Sequence, residues 1–410
     1  MNPFFKNPET RLRLHEGPLG KYIDGYAAEL RAEGYAQQSA ELQIRLVADF
    51  SRWLAKRRIS APQIGINHFQ PYLRWRARYR RPRREDLATL NRLSSLLLRL
   101  GVIPQASLPA LTPAEKLRDE FRLYLRQERA LTSATLTNYT PFVGEFLAGR
   151  FGTGPVDLTA LSGADVIGFV QRRAASIHSK QVQLMTTALR SFLRFARYRG
   201  DLHNDLAACV PAVANWSQST LPRALPSAQT ERVLAACDRR TAVGRRDYAI
   251  LLLLARLGLR GGEVKTLTLE DLDWQGGLIT VHGKGGHDSQ LPLPRDVGKA
   301  LAAYLRKGRP RTTSRWVFLR ARAPVRGFRS TSAICCVVKH ALARAGIDSP
   351  RKGAHQLRHG LACQMLRKGA SLAEIGEVLR HQSPQTTALY AKVDITSLAT
   401  LALAWPGGER

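Results

Sequence analysis

The sequence predicts a mainly α-helical chain with one small antiparallel β-sheet. Three observations lead there. Apolar residues recur at three- and four-residue intervals through most of the 410 residues. Strand-like alternation appears at Leu278-Ile279-Thr280-Val281-His282; Gly283-Lys284-Gly285-Gly286 turns it and Ser289-Gln290-Leu291-Pro292-Leu293 returns it as a hairpin. Helical patterning lapses over 210–226, where Pro211, Pro222 and Pro226 bracket Asn215-Trp216-Ser217-Gln218-Ser219, so this segment reads as a linker. Two domains joined there could close around a rod-shaped ligand.

Taken in order, residues 20–58 hold two helical patterns, one through Tyr22, Ile23, Tyr26, Ala27 and Leu30 and one through Leu42, Leu46, Val47, Phe50 and Leu54, broken at Gly34. A third segment, 69–79, ends in the cationic run Arg80-Arg81-Pro82-Arg83-Arg84, and a fourth, 87–100, stops at Gly101. The same order then recurs. Thr112-Pro113-Ala114-Glu115 spells a helix start with a capping box. Helices follow over 112–128, from 131 through Tyr139, Phe142 and Phe146, over 161–173 and over 179–199. Setting Tyr35 on Leu131 also sets Ser39 on Thr135 and Phe50 on Phe146, which points to a duplicated four-helix unit. Any two amphipathic bundles would align in a similar way.

On the last of these helices Lys180, Arg190, Arg194 and Arg197 share the segment with core positions Val182, Met185, Leu189, Phe192 and Leu193, so one face can pack while another meets phosphates. A solvated cationic face would look the same. Beyond the linker, helices are expected at 227–237, 246–257, 296–306 and 332–345.

Composition narrows the partner. Lys and Arg number 63 against 32 Asp and Glu, a formal charge of +31 spread along the whole chain, which points to nucleic acid. The longest apolar run, 249–259, is interrupted by Arg256 and falls short of the roughly 20 residues a membrane span needs. No membrane partner is expected. The start, Met1-Asn2-Pro3-Phe4-Phe5-Lys6, lacks the apolar core of a signal peptide, so a cytoplasmic protein, nucleoid-associated when on DNA, is expected. The cysteines, Cys209, Cys237, Cys335, Cys336 and Cys363, are odd in number without a C-x-x-C pair, and buried free thiols are expected in place of disulfides or zinc.

Chemistry concentrates in 355–390: His355-Gln356-Leu357-Arg358-His359, then Leu379-Arg380-His381, then Thr386-Thr387-Ala388-Leu389-Tyr390. Such a set suits phosphoryl transfer, with a cation to hold phosphate, imidazoles to move protons and a phenol to attack. His355 and His359 have the spacing of a metal pair, but the Glu of H-E-x-x-H is absent, so no metal site is expected.

Together, Gly258-Leu259-Arg260-x-x-Glu263, Gly283-Lys284-Gly285, His355-x-Leu357-Arg358-His359, Leu379-x-His381 and Thr386-Thr387-x-x-Tyr390 resemble the tyrosine recombinase (phage integrase) family in order and spacing. The resemblance implies an N-terminal additional helical domain at 1–106, a helical core-binding domain at 107–209, a linker at 210–226, and a mixed α/β catalytic domain at 227–393. In that family a C-terminal tail docks on a neighbouring protomer, and for residues 394–410 packing within the same chain is the alternative. Tyr390 would then be the nucleophile, Arg260 and Arg358 the phosphate clamp, Lys284 the acid for the leaving oxygen, His355 a proton carrier and His381 a phosphate ligand. Neither cofactor nor ATP is implied. The partners implied are double-stranded DNA and a homo-tetramer, or other recombinases, acting through a Holliday junction.

The extra first 106 residues favour integration or transposition of a mobile element. Chromosome dimer resolution, a catalytically silent DNA-binding protein, and supercoil relaxation are the alternatives. The chain departs from the family pattern at Arg380, where Gly is usual, and at His287 and Ser289, where relatives often carry further basic residues. Gly261-Gly262 after Arg260 is unusually flexible, and the cationic surround is expected to ease ionisation of Tyr390.

Overall fold

The computed structural model describes residues 4–5, 7–104, 110–213, 224–283, 286–349 and 353–393. Lys284 and the 394–410 tail therefore lie outside the described residues, as does most of the expected linker. Residues 106–219 form one compact unit; 1–105 together with 220–410 form another.

The first 105 residues build a helical module from α1 (Pro8–Leu14), α2 (Ile23–Ala32), α3 (Gln37–Lys56), α4 (Phe69–Ala77) and α5 (Asp86–Arg99). Its centre is aromatic: Phe50 lies 4.9 Å from Tyr72 and 5.8 Å from Phe69, ring centre to ring centre. The Tyr72 hydroxyl donates to the Leu46 carbonyl at 3.1 Å, which satisfies the one polar atom these rings carry inward. Leu42 was expected in this core but is 43 % exposed; Ile44, two positions on, is fully buried in its place. The module meets the chain's C-terminal half where Val325 N–H donates to the Glu33 carbonyl at 2.8 Å.

The 106–219 unit is a second helical bundle of α6 (Pro113–Gln127), α7 (Ser133–Phe151), α8 (Gly163–Ala174) and α9 (Ser179–Tyr198). The Thr112 capping box forms as its sequence dictates: Thr112 Oγ1 accepts from Glu115 N–H at 3.2 Å and the Glu115 carboxylate accepts from Thr112 N–H at 2.9 Å. Phe121, Phe146, Leu189 and Phe192 fill the core. Phe146 is buried in α7 as Phe50 is in α3, and Leu131 is half-buried before α7 as Tyr35 is before α3.

The remaining residues enclose a third core around α11 (Ala242–Arg256), nearly every side of which is apolar and buried. Packed around it are α10 (Ser227–Ala235), α12 (Gly261–Thr266), α13 (Arg295–Lys307), α14 (Ser332–Arg344) and α15 (His355–Arg367), followed by α16 (Leu372–Val378) and α17 (Pro384–Thr387). The sheet has three antiparallel strands, β1 (Leu272–Asp273), β2 (Leu278–His282) and β3 (Asp288–Pro292), in the order β1-β2-β3. The alternation in sequence marks β2 and β3; β1 is two residues long and owes its state to pairing with Ile279 and Leu278.

All five cysteines are free thiols, but burial holds only for Cys237 and Cys363. Cys209 and Cys335 are half-buried, and Cys336 is exposed because the helical turn carries it outward between the inward-facing Ile334 and Val337.

Candidate active site

Gly258 makes the junction beneath the site. Its φ of +58° lies in the left-handed region, and a Cβ there would stand 2.6 Å from Leu379 Cδ2 and 3.1 Å from Leu361 Cδ2, so only glycine fits. The turn delivers Arg260 to the start of α12. Arg260 N–H and its Nη1 both donate to Glu263, at 2.8 Å each, and its Nη2 donates to the Arg380 carbonyl at 3.2 Å. Gly261 has a packing reason: a Cβ would meet Thr331 Cγ2 of the segment leading into α14 at 3.0 Å.

Glu263 is the hinge of the charge arrangement. Its side chain is 4 % exposed and also accepts from Arg380 Nη2 at 2.9 Å. Burial alone would raise its pKa, but the Arg260 N–H and the Arg380 guanidinium hold the carboxyl below its ordinary value. Arg380 stands where the resemblance has Gly, with φ +55°, a conformation that costs a non-glycine residue roughly 1–2 kcal/mol. The ion pair with buried Glu263 explains why an arginine persists there.

Arg358, on α15, is 3 % exposed. Its Nη1 donates to the Gly258 carbonyl and its Nη2 to the Leu379 carbonyl, tying α15 to the turn before Arg260 and to the end of α16. Burial, then repulsion from Arg260 and Arg380, bring its pKa down to about 10. The guanidinium stays charged at neutral pH.

Tyr390, expected to be eased toward ionisation, is 1 % exposed and packs with Ala362, Cys363, Ile375 and Leu379. Desolvation outweighs the attraction of Arg358 and pushes its pKa up to about 12. Its hydroxyl is 2.8 Å from His359 Nδ1, a contact absent from the set of site residues expected from the sequence. The signal available was the i, i+4 spacing from His355, which puts both imidazoles on one face of α15 with ring centres 6.1 Å apart. The His381 ring lies nearly parallel to Tyr390 at 6.5 Å and its Nδ1 is 2.8 Å from Thr387 Oγ1.

Desolvation first, then Arg358 and Arg260, bring His381 down to about 4, and partial desolvation and the same arginines lower His355, which remains exposed at the surface. An unfolded His381 takes up its proton near the ordinary value of 6.5, the folded one only near 4. The unfolded state therefore binds more protons between these values, and stability is lost as pH falls through that window. Thermal denaturation is expected to show a lower Tm at pH 5 than at pH 7, with the difference reduced in His381→Gln. An unchanged difference would assign the slope to other groups. His282 acts in the opposite sense: hydrogen bonds to Asp288 at 2.7 Å and Asp271 at 2.8 Å raise its pKa, so its contribution is lost as pH rises through that raised value.

An open cleft of about 870 Å³ is lined on one side by Arg260, Arg380 and His381, and on the other by Gly283, His287 and Ser289 of the hairpin. These hairpin residues flank Lys284. Among the described residues no group of three His, Cys, Asp or Glu is arranged to hold a metal ion.

On α9 the four expected phosphate ligands differ. Lys180 and Arg194 are exposed, Arg197 pairs with Asp205 at 3.3 Å, and Arg190 is half-buried with Nη2 donating to the Val210 and Pro211 carbonyls at 3.0 and 2.9 Å.

This convergence of arginines, imidazoles and a tyrosine on a helical scaffold with a small sheet is the architecture of tyrosine recombinases, and the chain belongs to the phage integrase family. The family matches residues 223–396. Over 407 residues, 98 % of this chain and 99 % of the relative, it is 48 % identical to the protein of Sinorhizobium fredii named as an integrase/recombinase, y4rA. Two solved structures share the fold. The XerH site-specific recombinase bound to a palindromic difH substrate is 18 % identical with a TM-score of 0.56, covering 70 % of this chain and 84 % of that one. A lambda integrase tetramer bound to a Holliday junction is 15 % identical with a TM-score of 0.51, covering 72 % and 88 %. No described helix is long and apolar enough to cross a membrane.

Proposed function

We propose that the protein is a site-specific DNA recombinase that cuts and rejoins double-stranded DNA through Tyr390. The observation that carries this reading is the shared cleft, which sets Arg260 and His381 opposite the base of the Lys284 hairpin. Tyr390 Oη attacks a scissile phosphate, forming a 3′-phosphotyrosine as the bond to the 5′-oxygen breaks. The phenolic proton passes to an imidazole of α15, either His359, which stands 2.8 Å from the hydroxyl before it moves, or His355. Lys284 protonates the departing 5′-oxygen. Arg260, Arg358 and His381 stabilise the charge on the non-bridging oxygens. The phosphotyrosine keeps the energy of the broken bond, so rejoining needs neither ATP nor metal.

In the conformation described, Tyr390 is buried and Arg358 is occupied by two carbonyls. Attack therefore requires the 388–393 segment to bring the hydroxyl into the cleft. This resting state keeps the nucleophile away from water until DNA is bound. Lys180, Arg194 and Arg197 offer phosphate contacts from the 106–219 unit. Similarity over 98 % of this chain to y4rA, named as an integrase/recombinase, supports integration, and the lambda integrase complex supports a tetramer acting on a Holliday junction.

A nicked suicide duplex carrying the element's end, incubated with chelator and no nucleotide, is expected to trap a covalent protein–DNA adduct. Absence of an adduct on the mapped site, with binding intact, would refute the catalytic reading.

A further inference from the structure

Between Arg74 and Arg84 the chain reads Arg-Trp-Arg-Ala-Arg-Tyr-Arg-Arg-Pro-Arg-Arg: seven arginines in eleven residues and no acid. The first 105 residues as a whole hold 19 Lys and Arg against 9 Asp and Glu, so this segment dominates the charge of the N-terminal module. Six of its arginines, all but Arg76, are exposed, and among the described residues none of the six makes an ion pair. Bringing so many guanidinium groups together costs self-repulsion, which a bound polyanion relieves.

The segment is held in shape from below. Arg76 pairs with Asp86 at 2.9 Å, with side chains 12 % and 9 % exposed, and the same carboxylate accepts from Arg83 N–H at 3.1 Å. Asp86 N–H returns a bond to the Arg83 carbonyl at 3.1 Å, and Arg80 N–H donates to the Arg76 carbonyl at 2.9 Å. Asp86 is thus consumed as a strut and cannot neutralise the exposed arginines. Above it opens a cavity of about 590 Å³ whose lining carries Arg45, Arg76, Arg80, Arg81 and Arg83 against two acids, Glu85 and the paired Asp86. Tyr79, 73 % exposed and two residues beyond the end of α4, has its ring 5.7 Å from that of Trp75. A fixed cationic loop interleaved with an exposed aromatic ring suits a polyanionic backbone, whose phosphates accept guanidinium forks in pairs.

We propose that residues 74–84 form a second duplex-DNA-binding surface, one that grips phosphates through the N-terminal module and takes no part in bond breakage. It takes DNA as ligand from the reading above but does not depend on the role of Tyr390. The surface adds affinity and length of contact, and its partner is the sugar–phosphate backbone of duplex DNA, not an acidic protein.

The full-length protein with Arg80, Arg81, Arg83 and Arg84 all replaced by Ala tests this, alongside the same four replaced by Lys. Each phosphate contact contributes about 0.9 to the slope of log affinity against log salt. The Ala variant is expected to bind a long duplex with a slope shallower by about 2–4, for the same counterion-release reason. The Lys variant is expected to keep most of the slope, and both are expected to form adduct at the wild-type rate once bound at saturation. A benzophenone side chain introduced at Tyr79 is expected to crosslink to the duplex. An Ala variant with the wild-type slope, a Lys variant as impaired as the Ala one, or crosslinking to an added acidic polypeptide with none to DNA would each overturn the proposal. A failure of the catalytic reading looks different: no adduct from any variant, with the slope difference intact.

Discussion

Tyr390→Phe is expected to abolish the covalent protein–DNA adduct while leaving the fold and DNA binding in place. The ring is what packs against Ala362, Cys363, Ile375 and Leu379, and Phe keeps the ring. What it loses is the hydroxyl and its bond to His359, a change on the order of 0.5–1.5 kcal/mol. Burial already works against the ionised phenol, so Phe brings no new desolvation cost. Gel-shift titration and denaturation should therefore resemble wild type while the suicide duplex yields only free protein. An adduct that survives the substitution would remove Tyr390 from the mechanism.

Glu263→Gln is expected to damage stability and activity together. The carboxylate is 4 % exposed and is the shared acceptor of Arg260 N–H, Arg260 Nη1 and Arg380 Nη2. An amide offers one acceptor oxygen and points its own donors at guanidinium groups, leaving the arginines of the site to repel one another. Removing one partner of a buried ion pair costs about 3–5 kcal/mol. Arg260 also loses the group that aims it, and misplacing such a phosphate ligand lowers the rate by roughly 10²–10³. Chemical denaturation and single-turnover cleavage at saturating protein check the two parts. A variant as stable as wild type would show that Arg260 is held by the Arg380 carbonyl, and Arg380 by the Val378 carbonyl to which its Nη1 donates at 3.2 Å, without the carboxylate.

Much of the fold was legible because its signals are local. The Thr112 capping box, the apolar spacing of α3 and α9, and the alternation of β2 need only a few neighbouring residues to read. Helix α1 went unread although Asn7, whose side chain accepts from Glu9 and Thr10 N–H, and Pro8 at the first helical position mark its start; of its seven residues only Leu14 is buried, too few to show a period. Strand β1 is shorter than any repeat. The candidate site residues Arg260, Arg358, His381 and Tyr390 stand out in the sequence through order and spacing, as residue types suited to one chemistry. Their present state does not. The burial of Tyr390, the carbonyl anchors of Arg358 and the Glu263–Arg380 pair, 117 residues apart in sequence, arise from tertiary packing. Arg190 illustrates the same limit, since nothing near it announces that the carbonyls of Val210 and Pro211, 20 and 21 residues on, take its guanidinium.

The proposed mechanism requires a covalent bond between Tyr390 and the 3′ end of a cut DNA strand. Trapping the adduct on a suicide duplex, digesting it with nuclease and trypsin, and weighing the peptides tests that claim most directly. The peptide His381 to Lys392, bounded by Arg380 and cleavage after Lys392, is predicted to carry the nucleotide remnant on Tyr390 through a 3′-phosphodiester. A remnant on any other residue, or one joined through a 5′-phosphate, would contradict it.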